Sequence, residues 1–108
     1  MRREIAKIVL ARSSGFCKVC GGVIRDKGAL HHRKLKSRGG RDEVSNLIYC
    51  HHSCHNLADH SIHSNPSWAK ERGFMVPSWG DSANTPMFRP DGMLVILGED
   101  GSITPIKG

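Results

Sequence analysis

The chain has 108 residues, the size of one small domain, and its apolar share of 38% is low. A hydrophobic core this small is often marginal, so a bound metal would help the fold directly. The sequence has no run of about 20 apolar residues, which excludes a transmembrane helix. Its first residues lack the continuous apolar region of a signal peptide, so we expect a cytoplasmic protein.

Positive charge is concentrated in the first part of the chain. Residues 1–41 contain twelve lysines and arginines against two acids, whereas residues 42–108 contain four against eight. A basic stretch is often only a solvated surface. Here it flanks a cluster of cysteines and histidines, so we predict a polyanionic partner.

The chain begins with an expected helix over residues 3–12, where Ile5, Ile8 and Val9 recur at helical spacing, and Ser13-Ser14-Gly15 ends it. Next, Val23-Ile24 and Ala29-Leu30 flank a turn that ends at Gly28. This pattern predicts a short hairpin whose second strand leads directly into two histidines.

The middle of the chain reads as loop, strand and helix. Residues 33–45 are basic and contain a glycine pair, with no sustained period, so we expect a loop. Asn46-Leu47-Ile48-Tyr49 is a candidate strand. Ser53 is a plausible N-cap for a helix over residues 54–62.

The last third is predicted to hold one more helix and a hairpin. Asn65-Pro66 would begin the helix and Gly73 would end it. Residues 74–92 are rich in Pro, Gly, Ser and Asn and look irregular. The segments 93–97 and 102–106 are predicted to form a terminal β-hairpin.

Two short-spaced cysteine pairs predict a structural zinc site. Cys17 and Cys20 are separated by two residues, and Cys50 and Cys54 by three. Zinc prefers four soft ligands in a tetrahedron, and each pair can supply two of them. Binding would close the long loop between the pairs and so contribute to folding.

Three alternatives to this four-cysteine site stay open. The cysteines could form two disulfides in a secreted domain, or they could be buried free thiols. Because the second pair has a three-residue gap, His51 or His52 could also replace one cysteine as a ligand.

The patterns CxxC, HH, GG, NL and CxxxCH follow one another over about residues 16–63, and this order resembles the HNH endonuclease family. Downstream, HSNPSWAKERGFMVPSW and the terminal hairpin are similar to the tails of small phage HNH proteins. The resemblance implies a small α+β fold. Its ββα-metal (His-Me finger) core would be held by a zinc ion on the four cysteines, with an N-terminal helix and a C-terminal helix and β-hairpin. Residues 1–73 would form the nuclease domain, with zinc knuckles, and residues 74–108 an irregular segment and hairpin packed on it or trailing it.

The same resemblance assigns roles to four residues. Neighbours in a strand point to opposite faces, so His31 and His32 should differ in role. By the resemblance, His31 and His55 bind a catalytic metal and His32 is the general base. Asn46 either holds the loop and the base-bearing strand in place or joins the metal ligands.

The third protein ligand of this metal stays open between Asp59, His63 and water. His63 is eight residues beyond His55, about 12 Å along a continuous helix, so it can contribute only if the helix breaks. His60 would face elsewhere on such a helix.

Phosphate contacts are expected from the basic residues between His32 and Asn46, which would be positioned beside the metal-bound phosphate. These are Arg33, Lys34, Lys36, Arg38 and Arg41. Trp68 and Trp79 are expected in the core or at a partner contact rather than as base-stacking platforms.

The expected function is therefore metal-dependent nicking or cutting of duplex DNA with low sequence specificity. Mg²⁺, Mn²⁺, Ni²⁺ or Zn²⁺ would occupy the catalytic site and structural Zn²⁺ the cysteines. DNA is the expected partner, together with terminase or other packaging proteins of a phage. A non-catalytic zinc module that binds DNA or a packaging partner is the alternative. An RNA-directed or colicin-like toxin nuclease is a further alternative, for which the sequence has no receptor-binding or translocation segment.

Overall fold

The computed structural model of the chain describes residues 3–25 and 27–106. Among these residues no helix is both long enough and apolar enough to cross a bilayer. Over these two ranges the architecture is small α+β, with two α-helices, a two-stranded antiparallel ribbon and a three-stranded antiparallel sheet. In chain order the elements are α1 (Arg3–Ser13), β1 (Ala29–His32), β2 (Leu47–Cys50), α2 (Pro66–Glu71), β3 (Met87–Phe88), β4 (Leu94–Leu97) and β5 (Ile103–Pro105).

Helix α1 confirms the predicted amphipathic helix. Val9 is fully buried with Val44 and Leu47, and Ile5 and Ile8 pack against the same group. The helix thereby covers one face of the β1–β2 ribbon, which carries the first histidines.

Strand β1 pairs with β2. The prediction that β1 forms a hairpin with residues 23–24 is therefore wrong. The register places His31 opposite Ile48 and His32 opposite Leu47. Val23 instead forms an isolated bridge with Phe16. Asp26, in the predicted turn, lies outside the described residues. Because β1 finds its partner far along the chain, local sequence patterns could not identify the pairing.

The expected helix over residues 54–62 is shorter than predicted. A single π-helical turn spans Ser53–Leu57, and Ala58 leaves it in an extended conformation (φ −106°, ψ 161°). Helix α2 then starts at Pro66 as expected, but the Asn65 side chain does not cap it. That side chain instead donates to the carbonyls of Asp59 and Ser61, which fastens the intervening turn.

The C-terminal part of the chain belongs to the main hydrophobic core. The predicted terminal hairpin is confirmed as β4 and β5, and β3 adds a third strand on the other side of β4. Met87, Val95 and Leu97 from this sheet are buried with Ile48 and Ile62. The described residues after 73 therefore pack against the strand that precedes the π-helical turn.

Arg33, which follows β1, is fully buried and joins four segments through its guanidinium. Nε donates to the carbonyl of Gly73 (2.7 Å), and Nη1 to those of Ser45 (2.9 Å) and Ser82 (3.0 Å). Nη2 donates to the carbonyl of Thr85 at 2.7 Å. The structure thus corrects the expectation that Arg33 contacts phosphates, because its donors are committed inside the protein.

We predict that Arg33→Lys lowers the free energy of unfolding by about 2 kcal/mol or more. Lysine keeps the charge but lacks the planar fork, so buried carbonyls lose their donors at a cost of about 1–3 kcal/mol each. Urea unfolding of the zinc-loaded protein measures the change.

Arg38→Lys is the matched control, because Arg38 is exposed in the same basic loop. Its unfolding free energy should stay within about 0.5 kcal/mol of wild type. Equal stability of the two variants would contradict the role given to Arg33.

Candidate metal centres and nuclease site

A first ligand cluster lies between the turn after α1 and the end of β2. It consists of Cys17, Cys20, His51 and Cys54, whose candidate ligand atoms all lie within 4.8 Å of one another. His51 Nδ1 lies 3.3 Å from Cys20 Sγ and 3.9 Å from Cys54 Sγ. Ligand bonds of about 2.3 Å for sulfur and 2.0 Å for nitrogen give such separations in a tetrahedron. Three thiols and one imidazole therefore fit a structural zinc site.

The surroundings of this cluster orient its ligands. His51 Nε2 donates to the carbonyl of Val23 at 2.9 Å, which leaves Nδ1 unprotonated and facing the sulfurs. The amides of His51 and Gly22 point at Cys17 Sγ and Cys20 Sγ. Burial of the Cys17 thiol acts to raise its pKa. Hydrogen bonds from the backbone of Cys20, His51 and Val19 outweigh that effect and hold the pKa below the ordinary value, which favours the metal-binding thiolate.

Cys50 was predicted as a zinc ligand, and the structure replaces it with His51. Cys50 ends β2, is fully buried, and its Sγ faces the carbonyl of Ala29 at 3.8 Å. Burial, followed by repulsion from Cys17 and Cys20, raises the pKa of its thiol to about 12. None of the four cysteines is in a disulfide. The sequence held the signal for His51, since the two-residue gap from His51 to Cys54 repeats that between Cys17 and Cys20.

A second ligand cluster brings together His31, His55 and His63, with their nearest ring nitrogens within 4.8 Å of one another. The Nε2 atoms of His55 and His63 are 3.2 Å apart. Around a tetrahedral ion with bonds of about 2.0–2.1 Å, neighbouring nitrogens lie roughly 3.3 Å apart. We call these three residues the imidazole trio.

His31 is held so that one nitrogen is available inside the trio. Its Nε2 donates to the carbonyl of Phe74 at 2.6 Å, whereas its buried Nδ1 has no hydrogen-bond partner among the described residues. Burial, with smaller repulsion from His55 and His63, lowers the pKa of His31 to about 3. Burial and then repulsion from His63 also lower the pKa of His55. An orphaned, neutral ring nitrogen is the donor that a divalent metal requires.

The helix ends after the π-helical turn, and the segment that follows brings His63 to the trio. The amide of Ile62 bonds to the carbonyl of Cys54, and the amide of His63 to that of His55, so the segment folds back along the turn. Asp59, the other candidate protein ligand, is exposed and lies outside the trio.

His32 is partly buried at the end of β1, and a carboxylate orients its ring. Its Nε2 lies 2.7 Å from Oδ1 of Asp42, which is the distance of a strong charge-assisted hydrogen bond. That hydrogen bond holds the pKa of Asp42 below its usual value. In the neutral ring that donates from Nε2 to Asp42, the unshared pair lies on Nδ1. The sequence reasoning missed Asp42, although its place after Gly39-Gly40 put it in the loop beside the histidines.

Asn46 is buried at the other end of the same loop, and its amide ties the loop together. Oδ1 accepts from the amide of Lys34 (2.7 Å), and Nδ2 donates to the carbonyls of Lys34 (3.1 Å) and Arg41 (3.0 Å). Ser82 Oγ donates to the same Oδ1. Of the two roles left open for Asn46, this geometry matches the one that holds the loop.

A cleft of about 270 Å³ lies beside the basic loop, and Lys34, Arg41, Gly80 and Asp81 are among the residues that line it. Lys36, Arg38 and Arg41 are exposed, and Lys34 reaches Gly80 O with its ammonium at 3.1 Å. Four of the five predicted phosphate-binding residues thus have exposed or half-buried side chains.

The two tryptophans differ in environment. Trp68 packs against Phe74 with ring centroids 5.4 Å apart, as expected for a core residue. Trp79 is 87% exposed at a turn beside the cleft. Its surroundings contain none of the packing that a core position would supply.

Comparison with known families gives one match. Residues 17–61 match the family model described as HNH endonuclease. No curated protein and no solved structure gave a significant match. The matched segment includes the whole zinc cluster together with His31, His32, Asn46 and His55, but it ends before His63.

We predict that His51→Ala loses tightly bound zinc at neutral pH, whereas Cys50→Ser retains one equivalent. His51 supplies one of four ligands, and Cys50 supplies none. Elemental analysis after dialysis measures the zinc content. His52→Ala, which alters an exposed neighbouring histidine, is the control and should keep its zinc. Zinc loss in Cys50→Ser with retention in His51→Ala would restore the four-cysteine site.

We predict that His63→Ala weakens binding of a second divalent ion by at least about 10-fold, because one of three nitrogen ligands is removed. Titration of the zinc-loaded protein with Mn²⁺ or Ni²⁺, followed by calorimetry, measures the affinity. Asp59→Asn should bind as wild type does. The reverse result would make Asp59 the ligand in place of His63.

Proposed function

We propose that this chain, whose residues 17–61 match the HNH endonuclease family, is a metal-dependent endonuclease that hydrolyses phosphodiester bonds of DNA. The observation that carries the proposal is the imidazole trio with a carboxylate-oriented histidine directly beside it in the sequence. A zinc module that only binds DNA would have no use for this second arrangement.

The two ligand clusters are proposed to hold different ions. Structural Zn²⁺ is assigned to the three thiols and His51, which are soft ligands and close a long loop. A divalent metal at the imidazole trio would supply Lewis acidity to the phosphate oxygens and to the departing 3′ oxygen. Three nitrogen ligands suit Mn²⁺, Ni²⁺ or Zn²⁺ better than Mg²⁺, which prefers oxygen.

His32 is proposed to accept the proton of the attacking water at Nδ1. Its hydrogen bond to Asp42 fixes the tautomer and the ring plane, as a base in this position requires. The water oxygen forms a bond to phosphorus while the bond from phosphorus to the 3′ oxygen breaks. By the resemblance to the family, the ends are a 5′-phosphate and a 3′-hydroxyl.

The loop between His32 and Asn46 is proposed to bind the DNA backbone. Lys34 and Arg41 line the cleft, Lys36 and Arg38 are exposed in the same loop, and the Asn46 amide ties that loop together. Such contacts neutralise phosphates and read little sequence, so binding should fall steeply with salt.

One trio in each chain supports nicking of one strand at a time. The wider setting we propose is a phage-encoded enzyme that works with genome packaging in the host cytoplasm. It rests on the likeness of residues 63–79 to the tails of phage HNH proteins.

We predict that His32→Ala reduces plasmid nicking at least about 100-fold while both metal sites stay filled, because general bases contribute about 10²–10⁴-fold. Asp42→Asn keeps a hydrogen-bond acceptor but removes the charge, so its loss should be smaller. Gel assays of supercoiled plasmid with Mn²⁺, Ni²⁺, Zn²⁺ and Mg²⁺ measure the rates.

His52→Ala is the matched control and should nick at the wild-type rate, since His52 is exposed and outside both clusters. If His32→Ala nicks at the wild-type rate, His32 is not the general base. If wild type cuts nothing with any of the four metals but still binds DNA, the non-catalytic module becomes the better description.

A further inference from the structure

Trp79 is the most exposed large apolar residue among those that the structure describes, with 87% of its surface accessible. An indole in water is unfavourable, since burying such a ring yields several kcal/mol in proteins. Single exposed apolar residues are common on protein surfaces, so the position of Trp79 next to the basic loop decides what its exposure means.

The backbone that presents Trp79 is firmly held. The amide of Gly80 bonds to the carbonyl of Pro77 at 2.9 Å, which closes a turn around the tryptophan. On one side the amide of Val76 bonds to the carbonyl of Arg33, and on the other Lys34 Nζ bonds to the carbonyl of Gly80. A β-carbon at Gly80 would lie 2.8 Å from Val76 Cγ1, so the turn is also closely packed. The main chain that carries the indole is therefore held in one conformation.

The turn lies at the cleft of the proposed phosphate-binding loop. Gly80, next to Trp79, lines that cleft together with Lys34 and Arg41. Two carboxylates, Asp81 and Glu43, also line it. The Asp81 carboxylate is engaged by Ala83 N and Asn84 Nδ2, so it caps the following turn rather than facing a ligand.

We propose that Trp79 stacks on a nucleobase next to the bound backbone, so that the preferred substrate is DNA with accessible bases: single-stranded, or unpaired near the cut. The cleft carries two cations and two carboxylates, but the loop beside it has an excess of lysine and arginine. A basic loop next to an exposed aromatic ring is an arrangement that can bind single strands, since phosphates meet the cations and bases meet the ring. In an intact duplex the base faces are covered by their neighbours. This inference rests on the proposed function in taking DNA as the ligand.

Tryptophan fluorescence tests the stacking without any cleavage. Trp68→Phe leaves Trp79 as the only tryptophan, and His32→Ala in the same protein prevents turnover. Titration with a 16-nucleotide oligothymidylate at low salt should quench the emission at least about two-fold. A 16-base-pair duplex should quench it far less at equal occupancy, measured by anisotropy of a labelled strand.

Substitution gives an independent measure of the same contact. Trp79→Ala should weaken single-strand binding roughly 5- to 150-fold, more than it weakens duplex binding, and Trp79→Phe should restore most of the loss. Phe16→Ala is the matched control, because Phe16 is another exposed aromatic residue but lies outside the cleft. It should bind both DNAs as the parent does.

Failure of the inference and failure of the proposed function give different results. The stacking is overturned if the oligonucleotide binds without quenching and Trp79→Ala binds DNA with the same affinity as Phe16→Ala. Trp79 would then be a contact for another protein, even if wild type nicks plasmid. If the oligonucleotide quenches the emission but wild type does not nick plasmid, the stacking is supported and the proposed nuclease activity is contradicted. Absence of DNA binding by the parent would overturn both.

Discussion

The arrangement of this small protein depends on one buried guanidinium. Arg33 makes four hydrogen bonds to main-chain carbonyls and has no carboxylate partner among the described residues. Burying an uncompensated charge is costly, and only a full set of well-directed acceptors makes it tolerable. The planar fork of arginine donates to four carbonyls from three separate nitrogens, whereas an ammonium group has only three donors on a single nitrogen. The end of β1 is thereby fixed to three later parts of the chain.

The chemistry of the site depends on that fixation. Once Gly73 is held by Arg33, the next carbonyl along, that of Phe74, reaches His31 and sets its tautomer. The same segment then pairs its Val76 amide with the carbonyl of Arg33 and brings Gly80 to Lys34. Residues outside the matched HNH segment therefore orient His31 inside it and line the cleft beside the basic loop. The segment that follows the match in the sequence thus contacts the proposed site.

Local patterns predicted much of this, and long-range geometry accounts for the rest. Helix α1 and the terminal hairpin follow from periodicity and turn residues, and the clustering of His31 with His55 is what the resemblance to the HNH family implies. The partner of β1 and the burial of Arg33 depend on contacts far apart in sequence. In the sequence, an arginine in a basic loop looks like a solvent-facing residue. Only the folded structure shows the four carbonyls that bind the Arg33 guanidinium. From the sequence, His63 is only a conditional ligand, because its distance from His55 is calculated along a continuous helix. In the structure the helix ends after one turn.

The two ligand clusters share one stretch of backbone, so the position of one depends on the other. Cys54 belongs to the first cluster and the adjacent His55 to the second. The amide of His55 also bonds to the carbonyl of His51, another residue of the first cluster, at 3.0 Å. The π-helical turn that presents His55 is short and could not be stable alone, since isolated helices need several turns. Tying its first residues to the thiol cluster gives the turn a fixed start, so a zinc ion bound there would both support the fold and fix the position of His55.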